Sequence, residues 1–260
     1  MTNQIHFEDG AAYERYMGEW SQLAGDTFLT WLDPPPGLRW LDVGCGSGAF
    51  TEMIAERSEP ASVHGLDPSM AQLAYARARV ALQTAHFHHG DAMALPFPDH
   101  VFDAAVMPLV IFFVPDPAKG VAEMARVVCP GGLVAAYAWD MVGGHFPYAA
   151  LLEELRGLGV DVPEAPSNYA SRLEILRDLW DRAGLEAIDT QVISVERTFA
   201  DFDDYWATIH GSPSASARLA SMTDEQRTLL ASRLRARLPA DGDGRITYSA
   251  KANAVRGRVP

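Results

Sequence analysis

Trp40-Leu41-Asp42-Val43-Gly44-Cys45-Gly46-Ser47-Gly48-Ala49-Phe50 is the stretch on which the reading of this chain turns. Trp40 to Val43 is a short apolar run of the length a buried strand needs. Three glycines at alternate positions stop it, and Ala49 to Arg57 then reads as a helix. Glycine lets the backbone turn sharply and lets a ligand approach without meeting a Cβ. The helix that opens next presents unpaired N–H groups and the positive end of its dipole. Strand, glycine turn and helix together form a cradle for a small molecule.

The glycines alone are a weak signal, because Gly44, Gly46 and Ala49 also satisfy the dinucleotide-binding fingerprint. The downstream runs add to it. Ser62 to Leu66 ends in Asp67, nineteen residues after Gly48, which is where the next strand of such a fold delivers a carboxylate to a ribose diol. Ala85 to His89 ends in Gly90-Asp91-Ala92. Phe102 to Met107 follows Phe97-Pro98-Asp99, and Leu133 to Trp139 follows Pro130-Gly131-Gly132. The series resembles the class I S-adenosylmethionine (SAM) dependent methyltransferases, in particular the small-molecule branch that includes the ubiquinone/menaquinone C-methyltransferases. The resemblance is strong over residues 38 to 140 and looser elsewhere.

Composition sets the outer bounds. A chain of 260 residues with 48% hydrophobic and 10% aromatic content can bury a sizeable core. A net charge of −13 argues against a general nucleic-acid binder, which needs a basic surface. Two cysteines, Cys45 and Cys129, give no disulfide framework and suit a reducing compartment. Met1 to Gly10 is polar and acidic, without the apolar centre of a signal peptide. No run approaches the roughly 20 apolar residues of a membrane span. The expectation is a cytoplasmic protein, monomer or homodimer, with no nucleic-acid partner.

Ahead of the cradle, Tyr13, Tyr16, Trp20 and Leu23 recur at helical spacing, so residues 11 to 32 read as an amphipathic helix. It either packs on the sheet or closes as a lid over a ligand. Apolar strands then alternate with helices at Met70 to Leu82, behind the N-cap Ser69, and Pro117 to Val128. Helices at Phe146 to Leu158 and Ser171 to Ala183 precede a long strand, Leu185 to Thr198. Asp201 to His210, Ser216 to Met222 and Thr223 to Leu238 read as further helices, the last with a capping box, Thr223 and Gln226. Its arginines, Arg227, Arg233, Arg235 and Arg237, read as a solvated face. Ile246 to Val255 reads as a final strand.

The resemblance implies an α/β, Rossmann-like, seven-stranded, mostly parallel sheet with helices on both faces, built as one domain over 1–260. Residues 1–37 would form the N-terminal helical lid and 38–140 the SAM-binding core. Residues 141–198 would supply helices and the sixth strand, 199–245 a helical insertion over the substrate pocket, and 246–260 the last strand. SAM would be the cofactor and S-adenosylhomocysteine (SAH) its product. By resemblance, Gly44, Cys45, Gly46 and Gly48 pass beneath its methionine part, Asp42 holds its amino group and Asp67 holds both ribose hydroxyls. Pro68, Ser69 and Met70 lie by the ribose and adenine, with Asp91, Ala92 and Met93 along the adenine edge and Pro108 near the sulfonium. Asp42, Asp67, Met70 and Asp91 also suit plainer roles, as a buried strand-end charge, a helix cap, a core side chain and a turn residue.

Methyl transfer from a sulfonium needs orientation more than a fixed catalytic group. Tyr16, Trp20, Phe112, Trp139 and Phe146 are the candidate contacts of a small apolar or aromatic acceptor. His145, an imidazole that titrates near neutrality, is the candidate general base, with an exposed loop histidine as the alternative. His86 and His88 share a strand face without an acidic or cysteine partner, so no metal site is expected. Two other readings compete. An NAD-type oxidoreductase would use the same glycines and Asp67, but the third alternate glycine, the aromatic N-terminal helix and Gly90-Asp91-Ala92 speak against it. A non-catalytic SAM-binding protein would keep the same cradle.

Overall fold

The computed structural model describes residues 14–210 and 213–260. Seven strands form a single sheet: β1 (Arg39–Val43), β2 (Ser62–Asp67), β3 (His86–His89), β4 (Phe102–Pro108), β5 (Val128–Trp139), β6 (Glu186–Phe199) and β7 (Ile246–Arg258). Their order is β3-β2-β1-β4-β5-β7-β6, and β7 alone runs antiparallel to its neighbours. β6 and β7 pair from Glu186↔Arg258 to Phe199↔Ile246 and carry the sheet well beyond the cradle.

Because alternate residues of a strand point to opposite faces, the apolar runs supply two cores. Trp40, Ala104, Val106, Ala135 and Tyr137 face one side, while Leu41, Val43, Ala105, Met107 and Ala136 face the other. Helices cover both sides, which is why these central strands read as continuous apolar runs. On the first face lies α1 (Glu19–Leu32), entered through a wide helical turn at Glu14–Gly18. It buries Trp20, Ala24, Phe28, Leu29 and Leu32, spaced at three and four residues along one stripe. Tyr13 of the expected lid lies outside the described residues.

The glycine turn leads into α2 (Ala49–Arg57), and α3 (Met70–Ala78) follows β2. Ser69 caps α3 as expected, accepting from Gln72 N–H at 3.3 Å, and a separate 3₁₀ turn at Val80–Leu82 takes up the rest of the expected helix. α4 (Pro117–Val127) is capped by Asp116 and packs on the second face with α6 (Leu173–Arg182). Trp180 of α6 is buried and donates its indole N–H to Val134 O at 2.9 Å, pinning that helix to β5.

α5 (Ala149–Gly157) and the three helices after β6, namely α7 (Phe202–His210), α8 (Pro213–Ser221) and α9 (Asp224–Arg237), extend the first core beyond α1. The capping box at Thr223 and Gln226 is present. The arginines of α9 are paired: Arg233 and Arg237 reach Glu154 and Glu153 of α5, Arg235 reaches Asp203 of α7, and Arg227 reaches Asp224. The face is solvated as expected, with Arg233, Arg235 and Arg237 exposed, and these surface ion pairs link it to α5 and α7.

Candidate functional site

β1 ends with Asp42 at the carboxyl edge of the sheet, where the glycine turn begins. Asp42 is fully buried. Its Oδ2 accepts a hydrogen bond from Thr51 Oγ1 of α2 at 2.7 Å, and its Oδ1 has no partner. Burial pushes this carboxyl up to about 7, the Thr51 bond opposes that rise, and the charge of Asp67 adds to it. Asp67, at the end of β2, is organised by two backbone N–H groups: Gly46 N donates to Oδ2 at 2.9 Å and Ser69 N to Oδ1 at 2.8 Å. Burial raises its pKa and the two bonds work against that. Each of its oxygens keeps a lone pair for another donor.

The turn is held close to the segment after β4. Gly44 has φ +77, and a Cβ there would lie 2.5 Å from Val110 Cγ1. Gly46, at φ +52, faces open space. Across from it Leu109 adopts φ 59 while its N–H donates to Tyr137 O at 2.7 Å. A leucine in the left-handed region costs about 1–2 kcal/mol, and such strain collects at functional sites.

These elements enclose a cavity of about 980 Å³. One part of its wall is polar and contains Asp42, the Gly44–Ser47 backbone, Asp67 and Ser69. The rest is mixed: Phe50 and Met53 of α2, Leu109, Val110 and Phe113 after β4, and Tyr137 of β5 form an apolar stretch, beside the polar Glu52, Glu56 and Gln72. Gly18, Glu19, Ser21 and Gln22 bring the start of α1 to the same wall. Arg79 borders it too, held by Glu52 and by Ser47 O, to which its Nε donates at 2.7 Å.

Asp42, Gly44, Cys45, Gly46, Asp67, Pro68, Ser69 and Pro108 all stand in this wall. The other residues expected to touch ligand lie elsewhere. Gly48 caps α2 and is packed against Leu82 and Ala76. Met70 is 58% exposed. Asp91 is exposed and accepts from Met93 N at 2.8 Å, a local turn, while Ala92 and Met93 pack on the second core. Trp20 and Trp139 are buried in the first core, because large aromatic rings at helical or strand spacing gain more from burial there than at a pocket wall. Tyr16 stacks on Tyr148 at 4.0 Å, Phe146 meets the same ring edge-on, and Phe112 is buried on the second face. His145 is exposed, with Nδ1 2.8 Å from Asp140 Oδ2, and takes no part in the wall.

The sequence reading missed Ser21, Gln22, Phe50, Met53, Leu109 and Tyr137. Phe50 and Met53 carried a findable signal, since they follow the last glycine of the turn at two and five residues and share a face of α2. No described residue of the helices after β6 lines the cavity, because those helices pack against α5 and β6 instead.

A methyltransferase domain model matches residues 41–136. A demethylmenaquinone methyltransferase of Bacillus cytotoxicus is 40% identical over 178 residues, which cover 62% of this chain and 75% of that protein. The chain belongs to the class I SAM-dependent methyltransferase family. Within the family, a 2-phytyl-1,4-naphtoquinone methyltransferase of Synechococcus elongatus is 34% identical over 60% of this chain and 67% of its own. A Haemonchus contortus phosphoethanolamine N-methyltransferase, solved with phosphomonomethylethanolamine and SAH, shares the fold at 20% identity and a TM-score of 0.62, covering 100% of this chain and 59% of that one.

The residues present fit the SAM that this family uses. Asp42 Oδ1 is an anionic acceptor without a donor, Gly46 leaves the space a side chain would fill, and Asp67 keeps acceptor capacity for a diol.

Proposed function

We propose that this SAM-dependent methyltransferase methylates a flat, reduced quinone-type ring, such as a 2-alkyl-1,4-naphthoquinol, in the cytoplasm. One observation carries the reading: the apolar wall of Phe50, Met53, Leu109, Val110, Phe113 and Tyr137 shares a cavity with the unpartnered Asp42 carboxylate. The two relatives named for naphthoquinone chemistry support the same class of acceptor. The free thiols of Cys45 and Cys129 support a reducing compartment.

SAM supplies a methyl carbon already bonded to a positively charged sulfur. The chain's own residues then bind, orient and exclude water. Asp42 accepts from the α-ammonium, Asp67 accepts from the two ribose hydroxyls, and the Gly44–Gly46 backbone gives close approach. The apolar stretch would hold the acceptor ring beside the cofactor, with the start of α1 forming part of the same wall. Fixing the geometry of two reactants accounts for much of the acceleration such displacements need.

The test is turnover of SAM with a panel of 2-alkyl-1,4-naphthoquinols, phenols and primary amines, read as SAH formed and as methylated product by mass. Methylated naphthoquinol is the expected product. Turnover of amines with none of the quinols contradicts the acceptor class.

A further inference from the structure

Arg197 stands on β6, two positions before Phe199, so both side chains occupy the same face of that strand. Its side chain is only 12% exposed, and its guanidinium lies over the Phe199 ring, 4.4 Å from the centroid. A cation so far removed from water needs a partner. Among the described residues the carboxylate paired with it is Glu19, the first residue of α1, with Arg197 Nε 2.9 Å from Glu19 Oε2.

The same guanidinium reaches the helix entry by a second route. Arg197 Nη1 donates to Tyr148 Oη at 3.5 Å, and that hydroxyl donates to Tyr16 O at 2.8 Å. The Tyr16 and Tyr148 rings stack with 4.0 Å between centres. Tyr16 belongs to the wide turn Glu14–Gly18, an irregular form of helix that collects at functional sites. This entry delivers Gly18 and Glu19 to the cavity wall, with Ser21 and Gln22 after them. Arg197 itself stands outside the wall.

We infer that Arg197 is a positioning residue for the cofactor cavity, which pins Glu19 directly and Tyr16 through Tyr148 and so fixes the first turn of α1 as wall before a ligand arrives. The inference rests on the cofactor reading above and adds a residue that acts from a distant strand. A wall fixed in advance spares the ligand the entropy of ordering it, and the gain shows mainly as slow release. Without the guanidinium, the ligand itself has to order the turn. Binding then weakens although every wall residue is still present.

The experiment follows SAH association and dissociation by surface plasmon resonance for wild type, Arg197→Met, Arg197→Lys, Glu19→Ala and the double variant Glu19→Ala/Arg197→Met. Amide hydrogen exchange of each ligand-free protein accompanies it. Arg197→Met should raise the dissociation rate about tenfold and speed exchange across residues 16–22. Glu19→Ala, at a position 55% exposed and in a residue that suits a helix, should do the same. The double variant should add little to either, because the two residues act as one pair. Arg197→Lys keeps the charge and should restore most of the slow release. If folded Arg197→Met melts earlier but releases SAH at the wild-type rate, or if the two single effects add in full, the inference is overturned while the cofactor reading stands. Should Arg197→Met not fold, Glu19→Ala decides: wild-type release and exchange overturn the inference, and faster release with faster exchange at 16–18 sustains it. If wild type binds no SAH, both readings fall together.

Discussion

Asp42 pairs a functional demand with a cost in stability. Its carboxyl sits near 7 in the folded chain against about 3.9 for an unperturbed aspartate. A raised carboxyl favours the folded state at low pH, and that contribution is lost as pH rises through about 7. Holding an ammonium works the other way, because it needs the ionised form. SAH affinity should therefore rise between about pH 6 and 8, and Asp42→Asn should flatten the profile; a profile unchanged in the variant contradicts this role. The same variant, which cannot ionise, should raise the melting temperature of the ligand-free protein most above pH 7, with the advantage shrinking as pH falls from about 7 toward about 4. Gly44 is constrained twice, by φ +77 and by Val110 2.5 Å from where a Cβ would lie. Gly44→Ala should cost at least the roughly 1–2 kcal/mol of a left-handed alanine, which lowers the melting temperature by about 2–4 °C per kcal/mol. SAH binding should be lost with it. A melting curve that matches wild type would show that the turn tolerates a side chain.

Between elements, β2 and β3 meet through histidines. His64 Nδ1 lies 3.1 Å from His88 Nε2, the two rings stack, and His86 packs on His64 at 4.8 Å between ring centres. Burial lowers the His64 pKa to about 4, with His86 and His88 adding to the effect; His88 is lowered by burial, His86 and Arg77. A histidine depressed on folding stabilises the fold above its unfolded pKa of about 6.5, and that stability is lost as pH falls toward 4. His64→Phe keeps an aromatic ring beside Phe97 and Phe102 and removes the titration. Its melting temperature should fall less than wild type's between pH 6.5 and 4, and an equal fall would place the acid sensitivity elsewhere. This pairing shows where sequence reading stops. His86 and His88 were legible as neighbours on one face of β3, because alternation is local. His64 was not, because register across strands depends on which strand lies beside which. The same limit hid the partners of Arg233, Arg235 and Arg237 of α9, whose carboxylates lie on α5 and α7.

At the scale of the molecule, α1 is both core and wall. Trp20, Phe28 and Leu29 bury one stripe, while Gly18, Glu19, Ser21 and Gln22 face the cavity. The sequence offered lid and packed helix as alternatives; the helix packs on the sheet through Trp20, Phe28 and Leu29, and its first turn also lines the cavity. The strands, the glycine turn, Asp42 and Asp67 were readable since each carries a local signal of apolar run, breaker or strand-end charge. The apolar wall was not, because it is assembled from a few residues each of α2, β5 and the strained turn after β4. Saturating SAH should slow amide hydrogen exchange in Gly18–Phe28 along with the glycine turn, since ligand contact on both sides of the cavity suppresses local opening. Slowing confined to the turn would separate α1 from the site.

The most direct test of the account is a parallel calorimetric titration of the purified chain with SAM, SAH and NAD, with Asp67→Ala as the control. The account predicts micromolar binding of SAM and SAH, lost in Asp67→Ala, and no binding of NAD. Binding of NAD alone, or SAH binding that survives the loss of Asp67, would contradict it.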